Sequence, residues 1–357
     1  MSAAPVSPAP VPASVRRLVQ DMPKVELHLH LDGSLKPIAA IELAQQHGID
    51  APRTYDEMFD VLTAPVQAPS QADLLRAFDL PLRILQWPDA LARVTRELVE
   101  DKAADRVKCF EIKWAPALHC EQGMSVDDVI EVVADAAREA AQRCGVEARL
   151  CVVGFRAHTP ERNVEVARAA VRFRDQGVTG WDLAGYEAAY PDPTPHAESF
   201  RVARDGGLGT TVHVGEVVDD GSLVRRALTL HPDRISHGPW SIAAPDVIAT
   251  LIERGTTLDL CPTSNMQAST VPTLADHPLP QLLRLGVPVT INTDDVTISD
   301  ITLSEEWLNC YAHLGITLPE LWRCNLHALD VAFIDEPTRT RLRDEFRAWA
   351  ANVPELH

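Results

Sequence analysis

The chain has 357 residues, 46% of them hydrophobic, which is enough for a sizeable core and suits one large α/β barrel or two ordinary domains. A formal net charge of −18 disfavours nucleic acid and anionic membrane surfaces as partners through long-range repulsion. Seven irregularly spaced cysteines with no CxxC read as reduced, mostly buried thiols of a cytoplasmic protein.

Residues 1–15, with prolines at 5, 8, 10 and 12, carry no basic leader and no continuous apolar core. They read as a disordered, polyproline-like tail rather than a secretory signal, and 16–357 as one domain. No apolar run reaches membrane-spanning length. The stretch Pro23 to Ser34 reads as a strand closed by a turn at Asp32 and Gly33. Strand alternation puts Glu26, His28 and His30 on one face and Val25, Leu27 and Leu29 on the other. Taken alone, the two histidines fit a solvated strand face as well as a metal.

Residues 36–48 have helical spacing with Pro37 in the first turn, and 55–105 continue as one helical excursion. Further strands are expected at 106–114, 148–155, 178–183, 210–214, 234–236, 257–260 and 287–292. Helices at 126–143, 160–176, 195–206, 223–230, 245–255 and 278–286 separate them, and three more close the chain at 303–313, 318–328 and 336–351. Strand and helix alternating in this way predict a (β/α)8 TIM barrel with extra helices after strand 1 and at the C-terminus. A doubly wound open sheet would need a Gly-rich turn after the first strand, which is missing.

A barrel of this kind carries its chemistry at the C-terminal ends of its strands. Those ends hold His28, His30 and Asp32; Asp182 with Glu187; His213 with Glu216; His237; Cys261 to Asn265; and Asp294 with Asp295. Singly, each has a bland alternative. His237 reads as a satisfied core histidine, Asp294-Asp295 as a helix cap, Asp182 as a structural carboxylate binding backbone amides, and Cys261 as a packed thiol. Jointly, imidazoles and carboxylates gathered at one end fit zinc with an open position for water. Glu216 is placed to move protons, and a carboxylate in a dry site can stay protonated at neutral pH.

These segments resemble the adenosine deaminase family of the amidohydrolase superfamily. HLHLDGS (His28 to Ser34), APALH (Ala115 to His119), DLAG-E (Asp182 to Glu187), HVGE (His213 to Glu216), SHG (Ser236 to Gly238), CPTSN (Cys261 to Asn265) and NTDD (Asn292 to Asp295) run in family order over roughly residues 20 to 330. The resemblance implies a single catalytic domain that hydrolyses the 6-amino group of a purine nucleoside, adenosine or 2′-deoxyadenosine, with one zinc ion per chain. His28, His30, His213 and Asp294 would hold the metal. Glu216 would give a proton to purine N1, His237 would orient and stabilise the attacking hydroxide, and Asp295 would position it and bond N7. His30 would border the substrate, the Gly185 backbone would meet N3, and Asp32 would hold a ribose hydroxyl. Adenine deaminases of the family tend to carry glutamate where this chain has Asp32, so a nucleoside is favoured. Adenine and a modified nucleoside such as aminodeoxyfutalosine are the alternatives. Val214, Ser236, Val296, Tyr186 and Lys113 depart from the usual motifs and bear on substrate choice. Strand 4 ends without the lysine that bridges two metals in other amidohydrolases, which argues for one ion. An inactive barrel would have lost ligands or Glu216.

Overall fold

The computed structural model describes residues 10–356. Eight strands pair parallel in chain order: β1 Lys24–His30, β2 Val107–Trp114, β3 Glu147–Phe155, β4 Val178–Ala184, β5 Gly209–Val214, β6 Arg234–His237, β7 Thr257–Leu260 and β8 Val289–Ile291. The cylinder closes where β1 meets the segment after β8. His30 N–H donates to Asp294 O (2.7 Å) and Asp294 N–H to His28 O (3.1 Å). This is the expected (β/α)8 barrel.

The outward faces of the strands are apolar. Ile112, Leu183, Val212, Ile235 and Leu258 are fully buried in the main core cluster, each contributing about 1.5–3 kcal/mol. The interior is unusually polar for a barrel whose layers are commonly branched aliphatics. One buried layer joins Arg234 to Glu111 and Asp259, with the Arg234 guanidinium 3.9 Å above the Phe333 ring. The next joins Lys113 to Asp182, Thr211 and Ser236. The third, at the strand ends, contains the histidines.

Several expectations change. Ala13–Asp21 is a helix, so residues 13–15 do not belong to a disordered tail, while the tail's residues 1–9 lie outside the described residues. The excursion over 55–105 is not one helical run: it divides into Tyr55–Leu62, Gln71–Leu75, Asp79–Ile84 and Pro88–Ala104. Pro65 and Pro69 fall in the break between the first two, where a helix would lose a hydrogen bond and clash, and Pro88 opens the last in the first-turn place where proline is tolerated. A short helix, Pro262–Gln267, follows β7 where only a strand end was expected. Strand β1 carries a register shift between Glu26 and Leu29, which breaks the simple alternation. Glu26 pairs with Lys102 of the outer helix at 2.7 Å and accepts from Thr293 N–H at 3.0 Å. It does not share the face of His28 and His30.

Candidate active site

Four ligand-type atoms converge at the C-terminal mouth. His28 Nε2 and His30 Nε2 each lie 3.0 Å from His213 Nε2 and 3.3 Å from one another. Asp294 Oδ1 is 3.0 Å from His28 Nε2 and 3.3 Å from His30 Nε2. Two histidines come from β1, one from β5, and the aspartate follows β8. Asp294 adopts φ 69, a left-handed conformation costly for a non-glycine residue, held by its two backbone bonds to β1. Burial drives His28 well below the usual imidazole range and His30 down to about 3, so both offer lone pairs. Three mutually touching nitrogens cannot all be satisfied by shared protons. Their spacing matches the edge of about 3.3 Å of a tetrahedron with 2.0–2.1 Å bonds, so these donors fit zinc.

Partners behind the ligands set their orientation. Asp182 Oδ2 lies 3.0 Å from His213 Nδ1 and 2.6 Å from Lys113 Nζ. Burial opposes its charge, yet His213 and Lys113 hold Asp182 well below the usual carboxylate range. Its other oxygen accepts from Leu183 N–H (2.7 Å), so the expected amide-binding role covers only half of its function. Ser264 Oγ donates to Asp294 Oδ2 (2.7 Å), and the helix bearing it is anchored where Thr263 N–H donates to Glu306 (2.9 Å).

The proton-handling groups face the same point. Glu216 Oε1 is 3.6 Å, and Asp294 Oδ2 3.7 Å, from His237 Nε2. Burial, then the charges of Glu187 and Asp294, push Glu216 well above the usual carboxylate range, which favours its protonated form. Glu187 fixes its backbone by accepting the N–H groups of Gly215 (2.9 Å), Glu216 (2.8 Å) and Val217 (3.3 Å). His237 adopts φ 72, and burial lowers it to about 3. Burial and neighbouring Asp294 push Asp295 well above its ordinary range, and burial brings Asp32 up to about 6. Asp32 Oδ1 and Asp295 Oδ1 are both buried without a partner. Gly185 follows β4 at φ +117, where a Cβ would come within 2.7 Å of the Phe155 ring. Cys261 is a buried thiol, as expected.

Gln71 was not anticipated. It is buried, takes Ala188 N–H at 3.4 Å, and its amide nitrogen has no partner. It sits in a segment tied across the mouth by Ala64 N–H to Ile298 O (2.8 Å) and Ala68 N–H to Gln267 O (2.7 Å). A polar residue in a Pro-rich stretch, with partners far along the chain, leaves no periodic signal. Glu187 lay in a recognised motif, but its three amide acceptors could not be read there.

The sequence model for adenosine deaminase matches residues 23–349. The chain belongs to the adenosine deaminase family. An adenosine deaminase of Mycolicibacterium gilvum is 36% identical over 344 residues, covering 92% of this chain and 94% of its own. Among solved structures, adenine deaminase from Arthrobacter aurescens superposes with a TM-score of 0.85 at 26% identity, covering 92% of this chain and 99% of that one. An amidohydrolase from Burkholderia ambifaria with bound Zn superposes with a TM-score of 0.85 at 27% identity, covering 96% and 95%. This family member is accordingly a hydrolytic aminohydrolase, and its family is metal-dependent.

Within the family site, Gly33 has a steric role. A Cβ on it would fall 1.7 Å from Asp295 Oδ1. Gly33→Ala should therefore displace the Asp295 carboxyl. We expect kcat/KM to fall at least tenfold, with a stability loss of about 1–3 kcal/mol from overpacking. Steady-state kinetics beside a thermal melt checks both.

Proposed function

We propose that the chain hydrolyses adenosine and 2′-deoxyadenosine to the 6-oxopurine nucleosides and ammonia, using one zinc ion held by His28, His30, His213 and Asp294. The observation that carries this reading is a buried Glu216, raised above the usual carboxylate range, beside a four-donor cluster of zinc spacing. A bound zinc ion makes hydroxide available near neutral pH. The chain's own groups supply the rest. Glu216 donates its proton to purine N1, which makes C6 electrophilic. His237 orients and stabilises the attacking oxygen, and Asp295 positions it and bonds N7. The Gly185 backbone meets N3, and His30 borders the ring.

Asp32 supports a nucleoside over a free base. Its Oδ1 is buried without a donor, and a ribose hydroxyl would supply one. The likeness to an adenine deaminase structure makes free adenine the alternative. A small-molecule purine partner and a cytoplasmic location belong to the same reading. All seven cysteines are unpaired, and no helix among the described residues is long and apolar enough to cross a membrane.

The test is ammonia release from adenosine, 2′-deoxyadenosine, adenine, AMP and aminodeoxyfutalosine. Highest kcat/KM on the first two is expected, and preference for adenine would overturn the substrate. Chelation should remove turnover, and one equivalent of zinc per chain should restore it; activity that survives complete metal loss would overturn the metal.

A further inference from the structure

Behind His237 lies a file of hydrogen bonds that begins at a backbone amide and whose every proton can be placed by chemistry. Leu279 N–H points at His277 Nδ1, 3.1 Å away. A backbone N–H only donates, so Nδ1 of His277 accepts and carries no proton. His277 is buried, and burial lowers it to about 3, so it is neutral and its single proton is on Nε2. That Nε2 lies 3.1 Å from the side-chain amide of Asn265. Facing a donor, Asn265 must present its oxygen. Its nitrogen is then turned to His237 Nδ1 at 3.2 Å. An amide nitrogen also only donates, so Nδ1 of His237 accepts and the His237 proton is on Nε2.

The series is anchored at a backbone donor, and each later proton follows from the one before it. The residues are also held rigidly. Asn265 N–H donates to Cys261 O (2.9 Å), and Asn265 O accepts from Thr270 N–H (2.9 Å) and Val271 N–H (3.2 Å). His277, Asn265 and His237 are all nine-tenths or more buried, which keeps competing water away.

We infer that His277 is a positioning residue: acting through Asn265, it locks His237 as the neutral Nε2–H tautomer, with that N–H turned to the reacting oxygen. This rests on the proposed aminohydrolase reading for its meaning in turnover, though the tautomer can be observed independently. Under it, His237 enters the reaction as a hydrogen-bond donor. Its Nε2 has no lone pair with which to take a proton, so proton transfer falls to Glu216. The wrong tautomer would turn a lone pair toward the same oxygen and repel it.

The experiment uses the zinc-loaded chain labelled with ¹⁵N-histidine, with long-range ¹H–¹⁵N spectra assigned by the signals lost in His237→Gln. His237 should show a protonated Nε2 and an unprotonated Nδ1. Asn265→Asp, nearly isosteric, replaces the donor by an acceptor and should move the proton to Nδ1. It should lower kcat about tenfold or more, with KM within about twofold and zinc content unchanged. His277→Leu should lose the single tautomer and lower kcat likewise, whereas His277→Gln, which keeps an N–H at the Nε2 position, should restore both. A wild-type His237 protonated at Nδ1 overturns the inference. So do Asn265→Asp or His277→Leu with unchanged tautomer and kcat, or a His277→Gln variant as impaired as His277→Leu. If the wild type releases no ammonia from any aminopurine nucleoside, the functional reading fails, and the spectra still decide the relay.

Discussion

Glu216→Gln is expected to lower kcat by about 10²–10⁴-fold, the usual contribution of a positioned acid or base, while zinc content and melting temperature stay near wild type. The amide keeps the size of the acid and its place between the Glu187-anchored loop and His237. It cannot deliver a proton to N1. The pH profile carries a second signature. Burial first, then Glu187 and Asp294, hold Glu216 above its ordinary range. The donor form is therefore complete at low pH, and turnover should fall as pH rises through that raised pKa. The alkaline limb should be missing from whatever residual activity Glu216→Gln retains. Near-wild-type kcat in the variant would remove Glu216 from the acid role.

The convergence of these side chains was legible in the sequence because a parallel barrel puts all strand ends on one side. His28, His30, His213, His237 and Asp294 are spread over most of the chain, yet four of them close to 3.0–3.3 Å around one point. Strand spacing and the resemblance named the same residues. What supports them was not legible. The Lys113 ammonium meets Ser236, 123 positions away, and Asn265 meets His237 across 28; neither pairing leaves a periodic trace. Asp182 illustrates the difference. As a single carboxylate it reads as an amide binder, and only the folded interior shows that its second oxygen serves a lysine and a metal-type histidine. The bulge in β1 had no sequence signal either. Alternating residues do not say where one is skipped, and strict alternation therefore puts Glu26 on the wrong face.

Lys113→Met should cost about 3–5 kcal/mol, the typical loss when one partner of a buried ion pair is removed. For a chain of this length that is about 4–7 °C in Tm. The lysine is wholly buried, and its ammonium donates to Asp182 Oδ2 (2.6 Å), Ser236 Oγ (2.6 Å) and Thr211 Oγ1 (3.0 Å). Burial works against its charge, but Asp182 raises its pKa above the ordinary lysine value. Methionine fills much of the same volume, so the loss reports charge and hydrogen bonds more than a cavity. Asp182 would remain as a buried carboxylate without its ammonium partner. The cheapest relief is a proton on Asp182, and a protonated Asp182 no longer holds His213 Nδ1 through a charged bond. Metal affinity should then fall with stability, by about 10–100-fold, as for other residues that orient a ligand from behind. Adding Asp182→Asn to Lys113→Met removes the stranded charge and should recover part of the Tm without recovering zinc affinity. If Lys113→Met melts like wild type and binds zinc equally well, the buried layer beneath the histidines contributes nothing to either, and the polarity of the barrel interior would need another reason.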